Sequence, residues 1–202
     1  MLNAPGIMEQ MADSARKATA ADLLATFGED SRVEIIHGEL VEKAMSRVEH
    51  GEQQHVIAEV IGRRFRRSPG GKWPGGWRIF QEVHVQYESQ ELFCHDICGY
   101  RRDSEIPKSW PSLIRPDWVC ELLSPRHEKR DLHDKWQVLQ RAAVPHYWIV
   151  HPEEKFLRVF RLENGRYSCV LTATSGELIR AEPFDAVELR ASVLFGDEDD
   201  DE

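Results

Sequence analysis

Residues 117–123, Asp-Trp-Val-Cys-Glu-Leu-Leu, decide the fold; Pro116 stands before them and Ser124-Pro125 after them. The run is short, mostly apolar and bounded by chain breakers, which predicts a buried strand. Glu121 is out of keeping, because it places a carboxylate inside that run. A helix from about His127 to Ala142 is expected next, since Leu132, Trp136, Leu139 and Ala143 recur at helical spacing. His146-Tyr-Trp-Ile-Val150 then reads as another buried strand.

Upstream, Trp77 to Tyr87 and Leu92 to Tyr100 read as strands joined by the polar turn Glu88-Ser-Gln90. Before them, Val56, Ile57, Val60, Ile61 and Phe65 give His50 to Arg67 one buried helical stripe, ended by Ser68-Pro-Gly-Gly71 and Pro74-Gly-Gly76. Val33-Glu-Ile-Ile36 and Glu39 to Met45 flank His37-Gly38 as a hairpin, and Thr19 caps a short helix over Ala20 to Phe27. Downstream, Asn164-Gly165 marks a hairpin between Lys155–Leu162 and Arg166–Thr172. The order α-β-β-α-β-β-β-α-β-β-β predicts an α/β (α+β) domain, a mixed sheet flanked by helices. Residues 19–194 form that single domain, with a flexible stretch over 1–18 and an acidic disordered tail over 195–202.

The chain of 202 residues, 41% hydrophobic, is long enough to bury a core. No run approaches the roughly 20 apolar residues that span a bilayer, and Met1 to Lys17 shows no secretory signal. Cys94, Cys98, Cys120 and Cys169 form no CxxC pair, which argues against a zinc knuckle and for reduced, buried thiols in the cytoplasm. Net charge is −9, yet removing the six acids from Asp197 to Glu202 leaves −3. Arg63, Arg64, Arg66, Arg67 and Lys72 cluster in one stretch, and Arg126, Lys129 and Arg130 in another. Local patches count for more than the total in phosphate contact, so charge leaves a nucleic-acid partner open.

Asp96 lies in Leu92-Phe-Cys-His-Asp-Ile-Cys98, where alternation sets it on one face with Cys94 and Cys98 and turns His95 and Ile97 the other way. Glu121 shares a face with Val119 and Leu123. A buried carboxylate is costly unless paired or metal-bound, and two on neighbouring strands suit one hard cation such as magnesium or manganese. Lys135, one turn past Asp131, lies on the sheet side of its helix with Leu132 and Leu139. Such a set suits phosphodiester hydrolysis, with the metal polarising the phosphate and the ammonium offsetting developing charge. Spacing admits plainer readings too. Asp131 and Lys135 could form an i, i+4 salt bridge, Asp96 could accept backbone N–H groups, and Asp117 reads as a cap or turn residue.

Several of these stretches carry a family resemblance: Ala20-Ala-Asp-Leu-Leu24, Arg32 to Val41, Glu82-Val-His-Val85, Arg115 to Pro125, Arg130-Asp131, Lys135, and Val144 to Val150. In these the chain resembles the Uma-two family, grouped with nucleases of the PD-(D/E)xK, restriction-endonuclease-like superfamily, from about residue 19 to 190. The resemblance implies a restriction-endonuclease-like core with added hairpins. It implies Asp96 and Glu121 as metal carboxylates, the Leu122 backbone carbonyl completing the shell, and Lys135 as the lysine. Glu39, His50 and Glu82 match positions at the site's edge; His50 shares a helical face with Ile57 and Ile61, and on spacing alone it reads rather as a satisfied, half-buried histidine. Magnesium, or manganese, is the implied cofactor, with DNA the substrate and a homodimer the form that cuts both strands. The chain departs from the pattern where the superfamily lysine would be Leu123, where His95 replaces a proline, and where His151 replaces an aspartate. Three functions stay open: a DNA endonuclease, a catalytically silent nuclease-fold module that binds nucleic acid or a protein partner, and a nuclease whose substrate is RNA or a branched structure.

Overall fold

A computed structural model of the protein describes residues 16–43, 48–123 and 131–197. Strand β4 (Glu91–Arg101) is buried along nearly its whole length and organises the sheet. On one edge it pairs throughout with β3 (Trp77–Glu88), antiparallel. Two strands share its other edge. β1 (Val33–Ile36) meets it at Leu92, and β5 (Trp118–Leu122) joins it from Ile97 to Gly99. The sheet therefore forks between Leu92 and Ile97. Beyond β1 lies β2 (Glu39–Glu42); beyond β5 lie β6 (His146–His151), β7 (Phe156–Glu163) and β8 (Arg166–Thr174). β5 and β6 pair parallel, which requires a crossover; a π-helical turn (Asp131–Lys135) and α3 (Trp136–Arg141) lie within it.

Each face of the sheet is covered. α1 (Ala20–Phe27) buries Leu23 against Val33 and Ile35 of β1. α2 (Val48–Phe65) sets Ile57, Ile61 and Phe65 into a core with Trp118 and Trp148. Phe184 is the hub of that core, its ring 4.8 Å from Phe65 and Trp118, 5.0 Å from Trp77 and 5.6 Å from Trp148. On the opposite face Leu139 and Trp136 of α3 cover Tyr147, Phe160 and Tyr167, with the Trp136 and Phe160 rings 4.6 Å apart.

Local signals worked where the physics is local. Thr19 and Asp22 form a reciprocal capping box, and His37-Gly38 and Asn164-Gly165 both turn with positive φ, the requirement of a two-residue hairpin. Other features differ. Ala143 takes φ 57 and stands exposed, so α3 ends at Arg141 and the expected stripe stops short of Ala143. β9 (Leu178–Ile179), β10 (Leu189–Arg190) and a 3-10 turn (Ala191–Phe195) were not expected. They are too short to carry a periodic signal. Phe195, assigned to the tail, is buried in the main core. Cys94, Cys98 and Cys120 are buried free thiols, whereas Cys169 is exposed. Met45, the start of the expected helix at His127, the basic group Arg126, Lys129 and Arg130, and the tail from Glu198 lie outside the described residues. No helix among the described residues is long and apolar enough to cross a membrane.

Because Phe184 fills the space between three tryptophans and Phe65, Phe184→Ala is expected to cost about 3–5 kcal/mol in urea unfolding. A loss under about 1 kcal/mol would show that the ring is not a core element.

Candidate active site

A forked sheet leaves backbone groups without a ladder partner, and buried ones must be satisfied. Here side chains do so. The Cys94 N–H donates to Glu34 Oε1 at 2.9 Å, and the Cys94 carbonyl accepts from Lys43 Nζ at 2.7 Å. The Asp96 carbonyl accepts from Gln54 Nε2 at 2.6 Å, and the Leu122 N–H donates to Asp96 Oδ2 at 2.8 Å. The fork thus draws polar side chains from β1, from the end of β2, from α2 and from β4 into one buried place.

These groups are also charged. Lys135 Nζ lies 2.9 Å from Glu34 Oε1 and 3.1 Å from Glu121 Oε2. Lys43 Nζ lies 2.6 Å from Asp96 Oδ1, with His50 Nε2 3.3 Å from the same oxygen. Asp96 and Glu121 are 1% exposed and Lys135 0%, whereas the Lys43 side chain keeps 12%. Three buried carboxylates thus face two ammonium groups, leaving one negative charge in surplus. Glu121 bears it. Burial, helped by Asp96 and Glu34 and opposed by Lys135 and Lys43, pushes its carboxyl up to about 7. For Asp96, burial also raises the pKa, but Lys43 and His50 outweigh it and hold the group below the usual carboxylate range. Glu34 is likewise lowered, burial being outweighed by Lys135 and Lys43.

A short relay backs Glu121. Burial, with Lys135 nearby, drives His95 well below the usual histidine value, so the ring is neutral. Tyr87, its pKa raised by burial, keeps its proton and donates to His95 Nε2 at 2.7 Å. His95 Nδ1 is then the donor to Glu121 Oε1, at 2.5 Å.

Strand alternation alone would turn His95 away from this group. It does not hold, because β3 and β4 slip together at the fork. Glu82, which the register sets opposite Asp96, takes φ 51, a left-handed conformation costly for a residue with a Cβ. On β3 both Phe80 and Val83 pack towards the side of Tyr100 and Val119, although i and i+3 of a regular strand face opposite ways. The matching slip on β4 brings His95 to the side of Cys98 and Glu121.

Asp96, Glu121 and Lys135, the residues singled out by the sequence, are brought together. His50 and Glu82 stand at the rim, with Glu82 Oε2 3.3 Å from Cys94 Sγ and 4.0 Å from Lys43 Nζ. Glu39 is exposed on β2 and joins no contact with the group among the described residues. Glu34, Lys43, Gln54, His95 and Tyr87 were missed. Glu34 carried a usable signal, since it interrupts Val33-Glu-Ile-Ile36 as Glu121 interrupts its own strand. For a metal, the oxygen donors at the fork are Asp96, Glu121 and the Leu122 carbonyl, which leaves its strand on the same edge as the N–H bonded to Asp96. These hard donors, together with the surplus negative charge, fit a divalent cation. Among the described residues no three Asp, Glu, His or Cys side chains form a ready-made metal cluster.

The two kinds of carboxylate give opposite pH dependence. Glu121, raised from 4.5 to about 7, contributes stability that is full below pH 4.5 and lost as pH climbs through 7. Asp96 and Glu34, being lowered, contribute stability present above their ordinary values of 3.8 and 4.5 and lost as pH falls through their depressed ones. In a chelator, Glu121→Gln is therefore expected to gain on the wild type by roughly 2–3 kcal/mol as pH rises from about 5 to 8. Parallel unfolding curves for the two proteins over that range would contradict the raised pKa.

The geometry can be set beside known proteins. The family model Uma2, described as "Putative restriction endonuclease", matches residues 20–193. Among solved structures, the chain is similar to one titled a putative nuclease belonging to DUF820 from Anabaena variabilis. The TM-score is 0.63 at 20% identity, covering 88% of this chain and 97% of that one. At that identity the likeness is one of fold. A search of curated proteins found no match. The family match spans nearly the whole sequence and the neighbour shares the fold: the chain belongs to the Uma2 family, described as "Putative restriction endonuclease".

Proposed function

We propose that the protein is a magnesium- or manganese-dependent endonuclease that hydrolyses phosphodiester bonds in DNA. The observation that carries this reading is the buried set of Asp96, Glu121 and two lysines at the sheet fork, in a chain of this family. Asp96, Glu121 and the Leu122 carbonyl would hold the cation, which when bound supplies charge that polarises a phosphate and acidifies water.

The two lysines have different work. Lys135, fully buried, holds Glu121 and Glu34 in place and shields their repulsion. Lys43 keeps partial exposure beside Asp96, so it is the ammonium that an incoming phosphate can reach to offset developing charge. His95 and Tyr87 fix the orientation of Glu121 from behind. A single centre cuts one strand, so duplex cleavage calls for a homodimer. Buried free thiols at Cys94, Cys98 and Cys120 suit a reducing cytoplasm.

One observation favours a second reading, a catalytically silent nuclease-fold module. Both oxygens of Asp96 and both of Glu121 already have protein partners, Lys43 and His50, the Leu122 N–H, His95 and Lys135. Plasmid cleavage with magnesium or manganese separates the two. The wild type is expected to nick and linearise the DNA, and Asp96→Asn, Glu121→Gln and Lys43→Met each to slow it on the order of a hundredfold. Equal cutting by wild type and Glu121→Ala would sink the enzyme reading, as would no cutting with either metal.

A further inference from the structure

The end of the sheet away from the fork carries a second arrangement that the proposed chemistry does not use. Arg66, Arg67, Lys72, Arg78, Arg101 and Arg102 converge there, drawn from the end of α2, the glycine-rich loop over 68–76, and the outer ends of β3 and β4. The loop folds back onto the helix: the Gly75 N–H donates to the Arg64 carbonyl at 3.1 Å and the Gly76 N–H to the Arg67 carbonyl at 2.7 Å. Gly75 permits this with φ 65, for a Cβ there would lie 2.3 Å from the Arg67 carbonyl oxygen.

Most of these side chains are positioned, yet by neutral groups. Arg66 donates to the Ile79 carbonyl at 2.8 Å, Arg102 to the Arg66 carbonyl at 2.6 Å and Arg78 to the Ser104 carbonyl at 3.1 Å. Arg101 stacks over Trp77 at 4.7 Å and Lys72 over Trp73 at 5.1 Å. Among the described residues none of the six side chains forms an ion pair with a carboxylate; of the neighbouring acids, Asp103 and Glu105 pair with none of them, and Asp117 meets only the Arg101 backbone N–H, at 2.7 Å, and the Ser104 hydroxyl. Elsewhere five arginines are neutralised, Arg16 by Asp22, Arg32 by Glu82, Arg141 by Glu88, Arg161 by Glu163 and Glu182, and Arg180 by Glu188, while Arg115, Arg158, Arg166 and Arg190, which form no ion pair among the described residues, lie scattered rather than gathered at one end. In a chain of net charge −9, six cations at one place, five of them held by neutral groups and none ion-paired among the described residues, call for a polyanion.

We infer that this end of the sheet grips the phosphate backbone of a DNA duplex, independently of base sequence, and sets the duplex against the fork. The spacing suits it. Arg101 is five residues beyond Asp96 on β4, roughly 17 Å, which is about five base pairs of rise. Side chains held by carbonyls and rings present charge without reading base edges, the signature of backbone positioning. The inference names the substrate contact of the endonuclease reading and rests on it, but its test needs no catalysis.

Binding of a short labelled duplex is measured by fluorescence anisotropy in a chelator, across a salt series. The wild type should weaken steeply with salt. The triple variant Arg67→Ser, Lys72→Ser, Arg101→Ser, whose side chains hold no backbone carbonyl, should bind at least about tenfold more weakly. Its log affinity against log salt should flatten by about 0.9 for each phosphate it no longer neutralises. A matched triple, Arg158→Ser, Arg166→Ser, Arg190→Ser, should stay near wild type. Wild-type affinity flat in salt, or a patch triple that binds like wild type, overturns the inference. Tighter patch-dependent binding of single-stranded RNA than of duplex DNA overturns the duplex assignment. If the patch triple binds normally while the wild type cuts plasmid, this inference alone falls. If it loses binding while no metal supports cutting, the surface stands and the endonuclease reading falls.

Discussion

Lys135 sits with no exposure between Glu34 and Glu121, 2.9 and 3.1 Å from their oxygens. Taking an ammonium group out of water costs several kcal/mol, and it is offset here only because two carboxylates meet it in good geometry. Those carboxylates come from β1 and β5, the two strands that share one edge of β4. Lys135 therefore bridges the strands that the fork separates. Glu34 does more, accepting the Cys94 N–H that the missing ladder would otherwise leave unpaired. The charges that suit phosphate chemistry are the same ones that let the sheet split, so the fold and the site cannot be altered separately at this point.

The split also explains the strain beside it. Glu82 with φ 51 and the inverted alternation of β3 and β4 occur between the β1 and β5 pairings, where β4 has a strand partner on a single edge. Such backbone costs on the order of 1–3 kcal/mol and persists only where neighbours over-determine it. Here the slip aims His95 at Glu121, and through it the hydroxyl of Tyr87. A carboxylate held from behind by a neutral imidazole and from the side by an ammonium has little freedom left. Preorganisation of that kind is what a reacting phosphate would require.

Much of this was legible in the sequence, for definable reasons. Glu121 announced itself because a carboxylate inside an apolar strand has few explanations, and Asp96 did so more weakly. Hairpins at His37-Gly38 and Asn164-Gly165 depend on two residues each and were readable outright. Glu34 gave the same signal as Glu121 in a shorter strand. Lys43 gave none, because a lysine after a hairpin strand is ordinarily solvated; its burial follows from the fork, which is tertiary. His95 was set on the wrong face because alternation assumes a regular pleat, and the break in the pleat begins on the partner strand at Glu82. Clusters such as Arg66 to Lys72 were visible as composition, but their lack of carboxylate partners among the described residues is a property of three dimensions.

The fork and the basic end of the sheet then describe one molecule with a place for chemistry and a place for grip, joined by β4. Manganese soaked into crystals of the protein tests the first most directly, through its anomalous scattering. A peak within coordinating distance of both the Asp96 and Glu121 carboxylates, absent in Glu121→Ala, is the expected result. A well-loaded crystal with no peak there, or with manganese bound only elsewhere, would contradict a metal role for this pair.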